Sequence, residues 1–237
     1  MIADLSVFGD ALQFGVDNSG LLWDKTVEHV ALSAAAVGVA LVIALPLGVV
    51  LGHVRRFSWI AISIANVGRA LPTLAVIAVL LVFMPIGNTV VAIALVVLAV
   101  PPILTNAYVG VSEVDAETVE AARGMGMTEW QIVRRVELPL ATPLLFAGIR
   151  TAVVFVVASA TIAAIAGGGG LGEIIVNQAE YRIEGVIAAS LVVSALAFAA
   201  DGVVAVVQRL VTPKPLRGRQ AQDALLVGDA GEPMPSV

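Results

Sequence analysis

The sequence predicts an all-α integral membrane protein with five main transmembrane helices. Three observations predict it. Mean hydropathy is +0.99, with 59% hydrophobic and 13% charged residues, a composition of membrane-embedded chains rather than soluble domains. Apolar stretches recur at lengths near the ~20 helical residues that cross a hydrocarbon core. Between them, residues 120–152 form a polar, Gly-punctuated segment, EAARGMGMTEWQIVRRVELPLATPLLFAGIRTA, which has no place inside lipid.

The elements follow in order. Residues 1–29 are mixed and acidic (Asp4, Asp10, Asp17, Asp24, Glu28) and predict a short interfacial helix and a loop, an N-terminal extracytoplasmic segment. They lack a basic n-region, so no cleavable signal peptide is expected. The main membrane domain covers residues 30–211. Its first span is Val30 to Gly52, kinked at Pro46 and stopped by Arg55 and Arg56. Residues 57–70 carry Asn66 and Arg69 and read as a helix near the membrane surface leading into a second span, Pro72 to Met84. Pro85-Ile86-Gly87-Asn88 is a turn. Thr89 to Ala107 is the third span, bent at Pro101-Pro102, and the polar loop runs from there to Pro143. Leu144 to Ala166 is the fourth span and Val186 to Val211 the fifth. From residue 212 the tail is rich in Pro, Gly, Gln and Asp, with little to bury, and is expected to be a disordered cytoplasmic tail.

Basic residues orient such a chain. With the polar loop inside and five spans, the N-terminus is outside and the C-terminus cytoplasmic. All basic residues but Lys25 and Arg182 then lie on the inner side or at inner span ends.

Local chemistry predicts the shape of the polar loop. Ser112-x-x-Asp115 and Thr128-x-x-Gln131 resemble capping boxes. Gly124 and Gly126 between them permit positive φ. The expectation is a helix over about 113–123, a tight turn, a short helix over about 129–136, and a stop before Pro139. Trp130, Val133 and Arg134 are expected on one face of the second helix. Two short helices at an angle make a rigid knob able to transmit a partner's motion.

Within this loop stand Glu120-Ala121-Ala122, then Gly126, then Val136, Leu138 and Pro139. They resemble the EAA signature of the membrane-spanning permease subunits of ABC importers. Further segments are similar to one subgroup, the osmoprotectant permeases: Ala44-Leu45-Pro46-Leu47-Gly48, Arg69-Ala70-Leu71-Pro72-Thr73-Leu74-Ala75, Asn106-Ala107-Tyr108-Val109-Gly110 and Gly168-Gly169-Gly170-Leu171-Gly172. The likeness covers residues 27–212. It implies the type I (MetI-like) importer fold and uptake of glycine betaine, carnitine, choline or proline betaine. It also implies two cytoplasmic ATPase subunits, a second permease, identical or related, and an extracellular or periplasmic substrate-binding protein. Residues 120–139 would contain the coupling helix that docks on the ATPase. The setting is a bacterial inner membrane. Val136 departs mildly from the pattern, which prefers Ile.

The remaining candidates are weighed residue by residue. No G-x-x-x-x-G-K-[ST] occurs, so ATP and Mg are expected on the partner ATPase and no cofactor on this chain. Gly167-x-Gly169-x-x-Gly172 formally matches a dinucleotide fingerprint but lacks a preceding strand. Gly168, Gly169, Gly170 and Gly172 instead read as an outer loop, either plain turn chemistry or an approach to the binding protein or outer gate. Asp201 lies inside the fifth span and suits an interhelical bond or pore or gate work. Asn106, Ser159 and Thr161 either line a path or bond to their own helix. His29 and His53 are isolated at span ends, the chain has no cysteine, and no metal site is expected. Nothing suggests nucleic-acid binding or a clustered enzyme site. A secondary transporter would call for midplane coupling-ion carboxylates and paired repeats. One Asp and no visible repeat speak for a path driven from another subunit.

Overall fold

The computed structural model describes residues 6–55, 58–70 and 72–212. Among them all regular structure is helical: α1 (Ser6–Asp17), α2 (Ser19–Val54), α3 (Ser58–Ala70), α4 (Thr73–Phe83), α5 (Asn88–Ser112), α6 (Ala116–Gly124), α7 (Glu129–Ile132), α8 (Leu138–Ser159), α9 (Leu171–Val176) and α10 (Gln178–Val211). The tail expectation from residue 213, and with it Arg56, Lys214, Arg217 and Arg219, lies outside the described residues.

Four helical stretches are long and apolar enough to cross a membrane: Ser19–Val54, Asn88–Ser112, Glu129–Ile162 and Gln178–Val211. The expected second span is different. Its helix, α4, has 11 residues, about 16 Å at 1.5 Å per residue, which is short of a ~30 Å hydrocarbon core. Pro72 stands extended before it (φ −70°, ψ 132°) and separates it from α3. Both α3 and α4 pack against α5.

The first span also begins earlier than expected. No loop precedes Val30; α2 starts at Ser19 and has 36 residues, about 54 Å. In its extra turns Lys25 pairs with Glu28 (3.4 Å). Arg55 ends α2 in the left-handed region (φ 56°) with its N–H on Leu51 O.

Helices in lipid associate by close packing rather than by water exclusion, so small residues mark their contacts. α2 buries Ala36, Ala40, Ala44, Gly48 and Gly52 at a four-residue repeat, and this stripe faces α5. A Cβ on Gly48 would lie 2.6 Å from both Ala107 Cβ and Leu104 O, so only glycine admits the approach. α5 packs in turn on α8, and α8 on α10. The Ala- and Leu-rich core includes Ala94, Leu95, Ala99, Ile103, Leu104, Ala152 and Val156. The fourth expected span ends as a 3₁₀ turn, Ala160–Ala166. α10 is broken at Arg182 (φ 55°, ψ −178°), four residues before the expected start of the fifth span.

Polar contacts gather at the two ends of the bundle. At one, Gly87 N–H donates to Ala166 O (3.0 Å) and the Gly loop meets the start of α2. At the other, the polar knob packs beside His53, Arg55 and the end of α5.

Candidate functional site: the polar knob

Asp115, not Ser112, caps the knob's first helix. The Asp115 side chain accepts from Glu117 N–H (3.3 Å) and from the Thr118 hydroxyl (3.1 Å). The expected capping box fails because α5 continues through Ser112, whose hydroxyl turns back to Val109 O (3.3 Å). α6 closes in a Schellman arrangement: Gly126 N–H donates to Arg123 O (2.9 Å) and Met127 N–H to Ala122 O (3.2 Å). Gly126 carries the positive φ (82°) that this closure requires, whereas Gly124 remains within the helix. One glycine, not two, makes the turn.

The Thr128 box forms as expected. Gln131 N–H donates to Thr128 Oγ1 (3.4 Å) and Thr128 N–H to Gln131 Oε1 (2.8 Å). The stop before Pro139 does not form. Val133–Glu137 is a π turn leading directly into α8, with Leu138 N–H on Val133 O. Proline lacks a donor and clashes with an α-helical predecessor. The π turn shifts the hydrogen-bond ladder, and Pro139 then falls in the first turn of α8, where no donor is needed.

The knob has its own small core of Val114, Val119, Ala122 and Ile132, with Met127 and Val136 against it. Residues of the EAA signature therefore divide. Ala122 is buried, and Val136, Leu138 and Pro139 are half-buried; Glu120, Ala121 and Gly126 are exposed. Trp130 and Met125 are apolar and outward on the knob, 70% and 72% exposed. The expected shared face of Trp130, Val133 and Arg134 is split: Trp130 and Arg134 point outward, while Val133 is buried. Met125 escaped the sequence reading, although its place between two glycines of the turn was a visible signal.

Charges brace the knob. Arg123 forks onto Glu129, Nε to Oε1 at 2.8 Å and Nη2 to Oε2 at 3.0 Å. The Glu129 carboxylate raises the Arg123 pKa above its ordinary value. His53 Nδ1 lies 2.8 Å from Glu137 Oε2 and its Nε2 3.2 Å from Glu129 Oε2. His53, expected to be isolated at a span end, is therefore paired twice; Glu137 stands 84 positions away in the chain, and no local spacing links the two.

The other candidates lie elsewhere. Asp201 accepts two hydrogen bonds from Arg150 (2.7 and 2.6 Å) across α8 and α10, an interhelical pair beside an open cavity of about 450 Å³. Asn106 Nδ2 donates to Pro102 O (2.8 Å) and Thr161 Oγ1 to Ala158 O (2.7 Å), each within its own helical segment. Asn106 and Ser159 also line a cavity of about 520 Å³ together with Gly68, Pro101, Thr151 and Phe155. In the Gly loop, Gly168, Gly170 and Gly172 are buried. Gly169 N–H donates to Asn88 Oδ1 (3.1 Å) and Gly170 N–H to Glu28 Oε2 (2.9 Å). Lys25 bonds Glu173 just beyond.

Comparison with known proteins matches this arrangement. A family described as binding-protein-dependent transport system inner membrane component matches residues 44–213. The glycine betaine/carnitine/choline transport system permease protein OpuCB of Bacillus subtilis is 39% identical over 202 residues, 85% of this chain and 93% of that protein. The osmoprotectant import permease protein OsmW of Salmonella typhimurium is 35% identical over 217 residues, 88% of this chain and 100% of that protein. Among solved structures, a chain of the MetNI methionine ABC transporter in inward-facing conformations has a TM-score of 0.74 and 25% identity, covering 82% of this chain and 98% of that one. A chain of long apolar helices, joined through a polar knob that carries the EAA signature, thus belongs to the binding-protein-dependent inner membrane components, the permease subunits of ABC importers.

Proposed function

We propose that this permease forms the membrane path of an ATP-driven importer for quaternary-ammonium osmoprotectants such as glycine betaine, carnitine, choline or proline betaine. One observation carries the mechanism: Met125 and Trp130 stand exposed and apolar on a knob that has its own core and is braced by Arg123–Glu129. Such a knob fits a groove on a cytoplasmic ATPase, and a body with its own core passes displacement on without absorbing it. ATP and Mg are bound by that ATPase, and nucleotide-driven motion tilts the spans between inward-open and outward-open states.

Orientation and span number follow from the same reading. α2 and α5 both run from the Gly-loop end to the knob end, so the chain crosses between Arg55 and Gly87. α3 and α4 share that fifth crossing. Their 13 and 11 residues give together about 36 Å of helix, enough for a ~30 Å core. The N-terminus is then outside and the membrane domain 30–211 ends inside, in a cytoplasmic tail. A complete importer adds two ATPases, a second permease and an extracellular or periplasmic binding protein.

The substrate is supported by the printed functions of the relatives. Selectivity rests mainly with the binding protein: a trimethylammonium group is best held by an aromatic cage, and Trp23, Trp59 and Trp130 are all exposed, at 68%, 64% and 70%. The path instead offers Asn106, Thr151, Ser159 and Phe155 as weakly polar lining. Deleting the gene is expected to abolish betaine uptake in high-osmolarity medium, with uptake in the parent strain requiring the binding protein. Loss of methionine or another amino acid's uptake, with betaine uptake intact, would move the assignment to an amino-acid importer.

A further inference from the structure

Among the described residues Glu137 is a carboxylate held at 1% exposure. Burying a carboxylate is costly unless a partner meets it. Its partner is not on the knob. It is His53, in the last turn of α2, with Nδ1 at 2.8 Å. The same ring reaches Glu129 with Nε2 at 3.2 Å. The ring therefore faces one carboxylate with each of its two nitrogens. Glu129 is itself forked to Arg123. One imidazole thus ties the end of α2 to the π turn, to α7 and, through Glu129, to α6. Arg55, just past α2, adds a second tie by donating to Val114 O at the entry to α6.

The opposite end of α2 is tied as well. Glu28 accepts from Gly170 N–H (2.9 Å), and His29, fully buried, has its Nε2 2.9 Å from Val157 O. A Cβ on Gly170 would lie 3.1 Å from His29 Cβ. The 25 positions from Glu28 to His53 span about 37 Å of continuous helix. α2 runs unbroken between them, with Pro46 inside it, and is anchored to the knob at one end and to the Gly loop at the other.

We propose that His53 and Glu137 are positioning residues for coupling, the driven joint through which displacement of the knob moves α2 and, by it, the Gly loop on the opposite face. The covalent route through the π turn into α8 is the other path. A π turn interrupts the regular hydrogen-bond ladder of a helix, and the side-chain strut beside it gives the knob a second, direct hold on the bundle. This proposal rests on the knob being the element that meets the ATPase.

The test uses the complete transporter, with ATPase and binding protein, in proteoliposomes. His53→Leu alone would strand Glu137 without a partner, so the informative variant is the double His53→Leu/Glu137→Leu, which removes both ends together. We expect it to retain its ATPase subunits and basal ATP hydrolysis, while betaine uptake falls about tenfold and the ATP spent per betaine rises about tenfold. Glu137→Gln keeps an acceptor for His53 and is expected to retain most uptake. Uptake near the wild-type level in the double variant would overturn the proposal, as would failure of that variant to hold its ATPase, which makes the pair structural. Gly126→Val separates the two readings: its loss of uptake beside an active double variant condemns the strut alone, whereas full activity of Gly126→Val condemns the knob itself.

Discussion

Gly126→Val is expected to cut uptake severely while the subunit still inserts. At φ 82° a β-branched residue is strained by about 1–3 kcal/mol. Nothing lies within 4 Å of the Cβ position, so the effect is on the backbone and not on packing. The Schellman closure from Gly126 and Met127 back to Arg123 and Ala122 then loosens, and α7 loses its fixed angle to α6. An uptake loss of tenfold or more is expected, since about 1.4 kcal/mol already represents a factor of ten. Gly124→Ala is the matched control. It sits in helical backbone with open space around it, and is expected to be neutral or to stabilise by up to about 1 kcal/mol. Radiolabelled betaine uptake, normalised to membrane-inserted subunit, checks both.

A large effect on stability is expected in the bundle, at Gly148. A Cβ there would fall 2.6 Å from both Asn106 Cβ and Pro102 O. Pro102 O also accepts from the Asn106 side chain (2.8 Å), so neither atom can give way without breaking that bond. Gly148→Val forces α5 and α8 apart at a cost of about 1–3 kcal/mol or more. The outcome should be a markedly lower thermal midpoint in detergent and loss of the subunit from the membrane fraction. Gly38→Val, at a position with nothing within 4 Å, should leave both unchanged.

Much of this was legible in the sequence because the signals are local. Thr128 and Gln131 cap each other three positions apart, Gly126 turns the chain, Arg55 stops α2, and the apolar runs mark the long helices. The errors share one cause, context that local chemistry does not carry. Residues 19–29 look like a loop because Asp24, Lys25 and Glu28 are charged, yet Lys25 and Glu28 meet each other and the Gly loop. Ser112 has the spacing of a cap, but α5 packs along its length and continues to it. Pro139 ends a helix by rule, and the π turn beside it removes the conflict. Pro72 to Met84 is apolar enough for a span but yields a helix of 11 residues, since Pro72 stands extended before it and separates it from α3. The His53–Glu137 contact joins positions far apart in the chain and has no sequence signature. A buried carboxylate becomes visible only once the bundle is assembled.

The proposed function requires the knob to meet the ATPase on the cytoplasmic face. The chain has no cysteine, so one placed at Met125, exposed on the knob, is the sole thiol on this subunit. A short bifunctional thiol–amine reagent applied to inside-out vesicles should join Met125→Cys to the ATPase subunit. Gln178→Cys, exposed at the Gly-loop end, should give no such product there and should instead react with an impermeant thiol reagent from outside intact cells. An ATPase adduct from position 178 and none from 125, or outside labelling of position 125, would contradict the account.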